Sequence, residues 1–170
     1  MANEGGEQRN QETGGRERST ARVLAAAKAA GLAIEIVAMP RSTRTAEEAA
    51  AACGCAVGQI VKSLIFARAD TGAPVLLLVS GTNRVDQDAV ASAIGARLKR
   101  MDAESVRRAT GFAIGGVAPL GSHAPLPTYI DEDLFAHEAI WAAAGAPNAV
   151  FRTTPGALEA ACGATAIRVA

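Results

Sequence analysis

The sequence predicts one α/β domain of the α+β type, a mixed sheet with helices packed around it. Three observations carry that expectation. Apolar runs of strand length outnumber the helical segments and do not alternate with them as βαβ units would. Most helical segments open on Ser, Thr or Asp and stop at Gly. A chain of 170 residues, 49% of them hydrophobic, can build one substantial core but leaves little room for a second independent domain. Aromatic residues make up only 4%, so that core is aliphatic and rich in alanine.

Taken in order, residues 1–18 hold Gly, Glu, Gln, Asn and Arg with hardly an apolar side chain, the composition of a disordered tail. Order is expected over 19–170. Ser19 or Thr20 can cap a helix through Val23, Leu24 and Ala27 that stops at Gly31. Ala33 to Met39 reads as a strand ended by Pro40. Thr45-Ala46-Glu47-Glu48 fits a capping box, with Thr45 as N-cap, opening an Ala-rich helix that closes at Gly54. Ile60 to Ala67 is a buried-strand run, and a short turn leads to Val75–Val79, so the two pair as a hairpin. Asp86 caps a helix to Gly95. Leu98 to Met101 is a short strand, and Asp102 caps a helix ending at Arg107 and Arg108, cations suited to a helix C-terminus. Leu126–Ile130, Ile140–Ala144 and Ala149–Thr153 read as strands, with Asp131-Glu132-Asp133 as a turn. Thr154-Pro155 starts a last helix, and Thr165–Val169 closes the chain as a strand.

Charge and cysteine content limit the function classes. The 17 basic residues are balanced by 17 acidic ones, so no global field draws a long nucleic-acid duplex. Contact with nucleic acid would be local or assisted. No signal peptide and no run long enough to cross a bilayer is visible. The three cysteines, Cys53, Cys55 and Cys162, are odd in number and make no disulfide framework, so the reduced cytoplasm is the expected compartment. Cys53-Gly54-Cys55 lacks the other half of a metal site. His137-Glu138 begins like a metalloprotease helix, yet Trp141 stands where the second histidine belongs. No metal and no cofactor are expected.

Two features can carry chemistry. Thr110-Gly111-Phe112-Ala113-Ile114-Gly115-Gly116-Val117-Ala118-Pro119-Leu120-Gly121 breaks an apolar run with four glycines and a proline. Such a turn presents bare backbone groups that a small ligand can approach closely, although a plain turn between strands has the same composition. Lys62 lies inside a strand and shares its parity with Ile60, Leu64 and Phe66. An ammonium on so apolar a face needs a partner, and an anionic ligand would serve. It is not a phosphate-loop lysine, because Val61 stands where glycine is required. Asp131 either places a carboxylate near the same cleft or caps a turn with Asp133; both readings remain open. Ser122 and His123 lack the surroundings of a nucleophile elbow.

Thr45 to Ala50, Gln59 to Phe66, the glycine stretch with its G-x-x-x-P element, Tyr129 to Leu134 and Trp141 to Phe151 together resemble the YbaK/prolyl-tRNA-synthetase-associated editing domains. The resemblance spans roughly Ala21 to Val169. It implies a single domain with a partly barrel-like mixed sheet, and hydrolysis of mischarged aminoacyl-tRNA in trans. It implies catalytic roles for Lys62, Gly115 and Gly116, with Lys62 at the terminal adenosine and its phosphate. It also implies substrate binding by Thr45, Ser63, Gly111, Phe112, Val117, Pro119, Asp131 and Asn148. Backbone groups would position ester and water, the substrate's ribose hydroxyl would help activate the water, and neither metal nor protein nucleophile would be needed. The implied partners are the acceptor end of aminoacyl-tRNA and prolyl-tRNA synthetase, with no membrane. Many relatives carry histidine directly after the glycine that ends the loop; here Ser122 stands there and His123 follows. Two other readings compete: a non-catalytic module binding an aminoacyl or nucleotide end or a protein, and a Cys53/Cys55 redox or metal protein.

Overall fold

A computed structural model describes residues 4–170, with side chains from residue 13 onward. Helix α1 runs over Glu4–Ala29, longer than the sequence predicts. Of the tail expected over 1–18, residues 1–3 lie outside those described, and residues 4–18 continue the helix. The Thr20 hydroxyl donates back to the carbonyls of Arg16 (3.2 Å) and Glu17 (3.0 Å) as an interior helical residue does, instead of capping. Glu, Gln and Arg are good helix formers, so the polar stretch propagates the turn begun where α1 is packed. Val23 and Ala27 are fully buried and anchor that part to the core.

The remaining helices follow their caps. In α2 (Ala46–Cys53) the Thr45 hydroxyl accepts from the Glu48 N–H at 3.1 Å, and Glu48 reaches back to the Arg44 N–H at 2.8 Å. Asp86, Asp102 and Thr154 cap α3 (Gln87–Ile94), α4 (Ala103–Thr110) and α5 (Pro155–Cys162) by the same side-chain-to-backbone bonds.

The strands form two sheets. β4 (Leu98–Arg100), β2 (Val61–Arg68), β3 (Pro74–Ser80), β5 (Thr128–Asp131) and β8 (Thr165–Ile167) lie side by side in that order. β2 and β3 are the predicted hairpin, β4 is antiparallel to β2, and β3–β5–β8 run parallel. β1 (Ile36–Ala38), β7 (Ala149–Thr153) and β6 (Ile140–Ala143) make a second, antiparallel sheet. The α+β class stands, but the expected curled sheet is split in two and does not close. One parallel bridge, Ile60 to Trp141, links the halves.

The Val75–Val79 run is apolar on both faces because both faces are covered. Leu76 and Leu78 join Val61, Ile65, Phe112, Ile140 and Phe151 in the main core. Val75, Leu77 and Val79 pack on Val90 of α3 and Leu98. The turn between β6 and β7 lies hard against α1. Gly145 there has φ +95°, and a Cβ would sit 2.8 Å from the Ser19 carbonyl oxygen. Gly145→Ala should therefore lower the unfolding free energy by about 1–3 kcal/mol through backbone strain, read as a fall in denaturation midpoint; an unchanged midpoint would contradict this packing.

Candidate active site along the open edge of strand β2

β2 is paired with β3 along its length, but on its other side β4 covers only Phe66–Arg68. Beyond the Ile60–Trp141 bridge β6 stays close to β2, but no strand is paired in a ladder with the edge at 62–65 among the described residues. The Arg68 N–H bonds Ala73 on the β3 side and the Ala69 N–H bonds Arg97 on the other. Strand alternation therefore turns the N–H and C=O of Ser63 to the open edge. A cleft of about 540 Å³ runs along this edge. Its walls are Thr45, Ala46 and Ala49 at α2, Ile114, Gly115 and Val117 of the glycine loop, Trp141 and Ala142 of β6, and Ala146 from the turn after it. That volume is in the range of small-molecule sites.

Of the residues predicted for the site, Thr45, Lys62, Ser63, Gly115 and Val117 line this cleft. Lys62 is half-buried, on the face shared with Leu64 and Phe66, as its parity requires. Its ammonium donates to the Asn83 carbonyl. Burial pushes the Lys62 pKa below the ordinary lysine value; Glu47 and Asp131 oppose that shift, and Arg84 adds to it. Ser63 is on the other face of the strand, and its buried Oγ has no hydrogen-bond partner among the described residues. A buried hydroxyl left so is uncommon and suits a ligand contact.

The two adjacent glycines divide their work. Gly115 is exposed with φ +89°, a left-handed conformation, and no partner is recorded for its N–H among the described residues. Gly116 is buried, and its N–H is taken by the Ala113 carbonyl at 3.0 Å. A Cβ on Gly116 would meet the Ala146 Cα at 2.9 Å, so glycine is needed there for close approach.

The other predicted binding residues lie away from the cleft lining. Gly111 ends α4 in a left-handed conformation, with His123 and Arg22 against it. Phe112 is fully buried, and the Pro119 carbonyl accepts from the Cys162 thiol at 3.4 Å. The Asn148 carbonyl accepts from the Met39 N–H at 2.6 Å. Asp131 resolves in favour of the cap: Oδ1 accepts from the Asp133 N–H at 3.0 Å. Its Oδ2 accepts from the Ser80 N–H at 3.0 Å and the Asn83 side-chain amide at 2.9 Å. Asp131 thus holds Asn83, which in turn holds Lys62.

Sequence reasoning missed Asn83, and it missed Arg44 and Arg100 at the cleft wall. The lining carries Arg44, Lys62 and Arg100 and no carboxylate. In a chain of zero net charge this is a local concentration of positive charge. Basic residues so far apart in sequence give no run from which it could have been read.

The cysteines offer no reactive pair. Burial raises the Cys53 pKa, Cys55 raises it further, and burial raises Cys55 itself. Cys162 is pushed up to about 12. These shifts disfavour the thiolate that a redox pair uses. Among the described residues, no group of three or more His, Cys, Asp or Glu side chains could hold a metal ion. No helix among them is long and apolar enough to cross a membrane.

The hub at Asp131 can be tested through stability. Asp131→Asn puts an amide donor among three N–H donors, and should cost about 1–3 kcal/mol, read from the shift of the denaturant midpoint. An unshifted midpoint would remove Asp131 from its structural place.

The profile of the aminoacyl-tRNA editing domain matches residues 40–161. A solved structure, described provisionally as a trans-editing enzyme for prolyl-tRNA synthetase, is similar at a TM-score of 0.83 and 47% identity, covering 89% of this chain and 96% of that one. An Enterococcus faecalis protein with the provisional name Cys-tRNA(Pro)/Cys-tRNA(Cys) deacylase EbsC is 30% identical over 121 residues, 66% of this chain and 73% of that protein. An uncharacterized Bacillus subtilis protein, YwhH, is 30% identical over 115 residues, 67% of this chain and 72% of that one. The family match runs from before α2 into the last turn of α5, and takes in the cleft, the open edge of β2 and the glycine loop. The chain belongs to the aminoacyl-tRNA editing domain family.

Proposed function

We propose that this chain deacylates mischarged aminoacyl-tRNA in trans, removing a small amino acid such as alanine, cysteine, serine or threonine from a tRNA of the tRNA-Pro type. The observation that carries this reading is the cleft itself: an open strand edge walled by a glycine loop, with Arg44, Lys62 and Arg100 lining it and no carboxylate. Such a site suits a short piece of polyanion, the terminal nucleotide of an acceptor end, without needing a basic protein surface. Local charge of this kind reconciles nucleic-acid binding with a neutral chain. The names of the Enterococcus relative and of the solved relative point to the same chemistry. On this reading the acceptor end is the partner, with prolyl-tRNA synthetase as its donor and the cytoplasm as the setting.

The chemistry asks little of side chains. An aminoacyl ester is already activated, so holding it and a water in line supplies much of the acceleration. Water adds to the ester carbonyl, the developing oxyanion takes backbone N–H donors, and the ribose oxygen leaves with a proton. The N–H groups of Ser63 and Gly115 are donors of that kind on the cleft, and the ribose hydroxyl beside the ester helps activate the water. Lys62 holds the phosphate of the terminal nucleotide. The alanines of the second sheet and its turn, Ala142, Ala143, Ala146 and Ala149, bound the space for the amino acid and favour a small one.

The test is release of amino acid from tRNAs charged with alanine, cysteine, serine, threonine and proline, using wild type beside Lys62→Ala. Loss of a charge-assisted contact of about 1.5–3 kcal/mol predicts a fall of roughly 10- to 150-fold in kcat/KM, with the fold intact by circular dichroism. Full activity in the variant would remove Lys62 from the site. Silence of the wild type across the panel would favour a module that binds without turnover.

The lowered pKa adds a pH signature. Lys62 binds phosphate only while protonated, so kcat/KM, after subtraction of spontaneous hydrolysis, should fall as pH rises through the lowered value, before an ordinary lysine would titrate. Lys62→Arg keeps the charge and should move that alkaline fall upward. An identical profile in both proteins would rule out Lys62 as the titrating group.

A further inference from the structure

We infer that Arg22 of α1 is a positioning residue that fixes the shape of the glycine loop; its catalytic consequence rests on the proposed deacylase reading. One guanidinium ties both ends of the loop. Its Nε donates to the Gly121 carbonyl at 2.9 Å, and its terminal nitrogen donates to the Thr110 carbonyl at 3.1 Å. Its carbon sits 4.6 Å from the centre of the Phe112 ring, which is fully buried directly after Gly111. The fork therefore closes an eleven-residue step in the chain, from 110 to 121, at its neck.

The backbone confirms how tightly α1 presses on that neck. A Cβ on Gly121 would meet the Val23 Cα at 3.2 Å and the Arg22 carbonyl oxygen at 3.3 Å. A Cβ on Gly111 would meet an Arg22 terminal nitrogen at 2.7 Å. The same helix bears on Gly145, whose neighbour Ala146 lies against Gly116 in the middle of the loop. The loop is thus held at its ends by Arg22 and at its centre by a turn that α1 also supports. Gly115, at the cleft, is left as the exposed apex. Arg22 lies outside residues 40–161, the part matched by the family profile. A planar fork with two donors is required, since lysine offers a single ammonium that cannot keep both carbonyls and the ring face at once.

The experiment compares wild type, Arg22→Lys and Arg22→Ala in the full chain by two independent readouts. The first is hydrogen exchange of the amides of residues 111–121, with the amides of β3 as internal control. The inference expects exchange in the loop to rise about tenfold or more in Arg22→Ala and to rise also in Arg22→Lys, with β3 unchanged. Unchanged loop exchange overturns it, and so does a rise that includes β3, which would mean general destabilisation. The second readout is deacylation. A loop displaced at the reacting centre should lower kcat by up to roughly 100-fold with little change in KM, and added methylguanidine should restore Arg22→Ala in part. A loosened loop with full kcat overturns the link to catalysis. A wild type without deacylase activity would instead count against the proposed function, while the exchange result would still decide what Arg22 does.

Discussion

The structure depends on a sheet that stops short of closing. β2 is saturated on its β3 side and covered by β4 at one end only, and the Ile60–Trp141 bridge carries the second sheet up to it. Had β6 continued along β2 past Ile60, the backbone groups of Ser63 would be spent on a ladder and there would be no cleft. Everything proposed for function uses that omission: the open edge supplies donors and an acceptor, the second sheet supplies a wall of small side chains, and the glycine loop is set across from them.

Around this edge the molecule separates holding from acting. Asp131 gathers three N–H groups and fixes Asn83, and the Asn83 carbonyl accepts the hydrogen bond of the Lys62 ammonium. Gly116 lies on the backbone of Ala146 and leaves Gly115 exposed at the cleft. In both cases a buried residue, Asp131 or Gly116, anchors a more accessible one that faces the cleft. The arrangement matches a reaction in which placement does most of the work, because a preset frame loses little freedom when substrate arrives.

Much of this was legible from the chain. Helix starts at Thr45, Asp86, Asp102 and Thr154 announce themselves through local hydrogen bonds, and their glycine stops through left-handed backbone. Lys62 was legible because strand parity set it on an apolar face. Thr20 misled because its hydroxyl can serve a helix interior as well as a cap. The turn at Asp131 could be read, but not its hold on Asn83, 48 residues away. Arg22 reaches Gly121 across 99 positions, and no local pattern announces such a bond. The reason for glycine at 116, contact with Ala146, exists only once the two sheets are assembled.

An unpaired strand edge is ordinarily a hazard, since it offers another chain a row of groups to pair with. Here the exposed row is short and recessed. α2 rises on one side of it, the loop with Ile114 at 61% exposure stands on the other, and cations line the trough. A flat strand from a neighbouring molecule meets these walls before it meets the floor. The walls that bound the proposed site also shield the open edge from pairing with another chain.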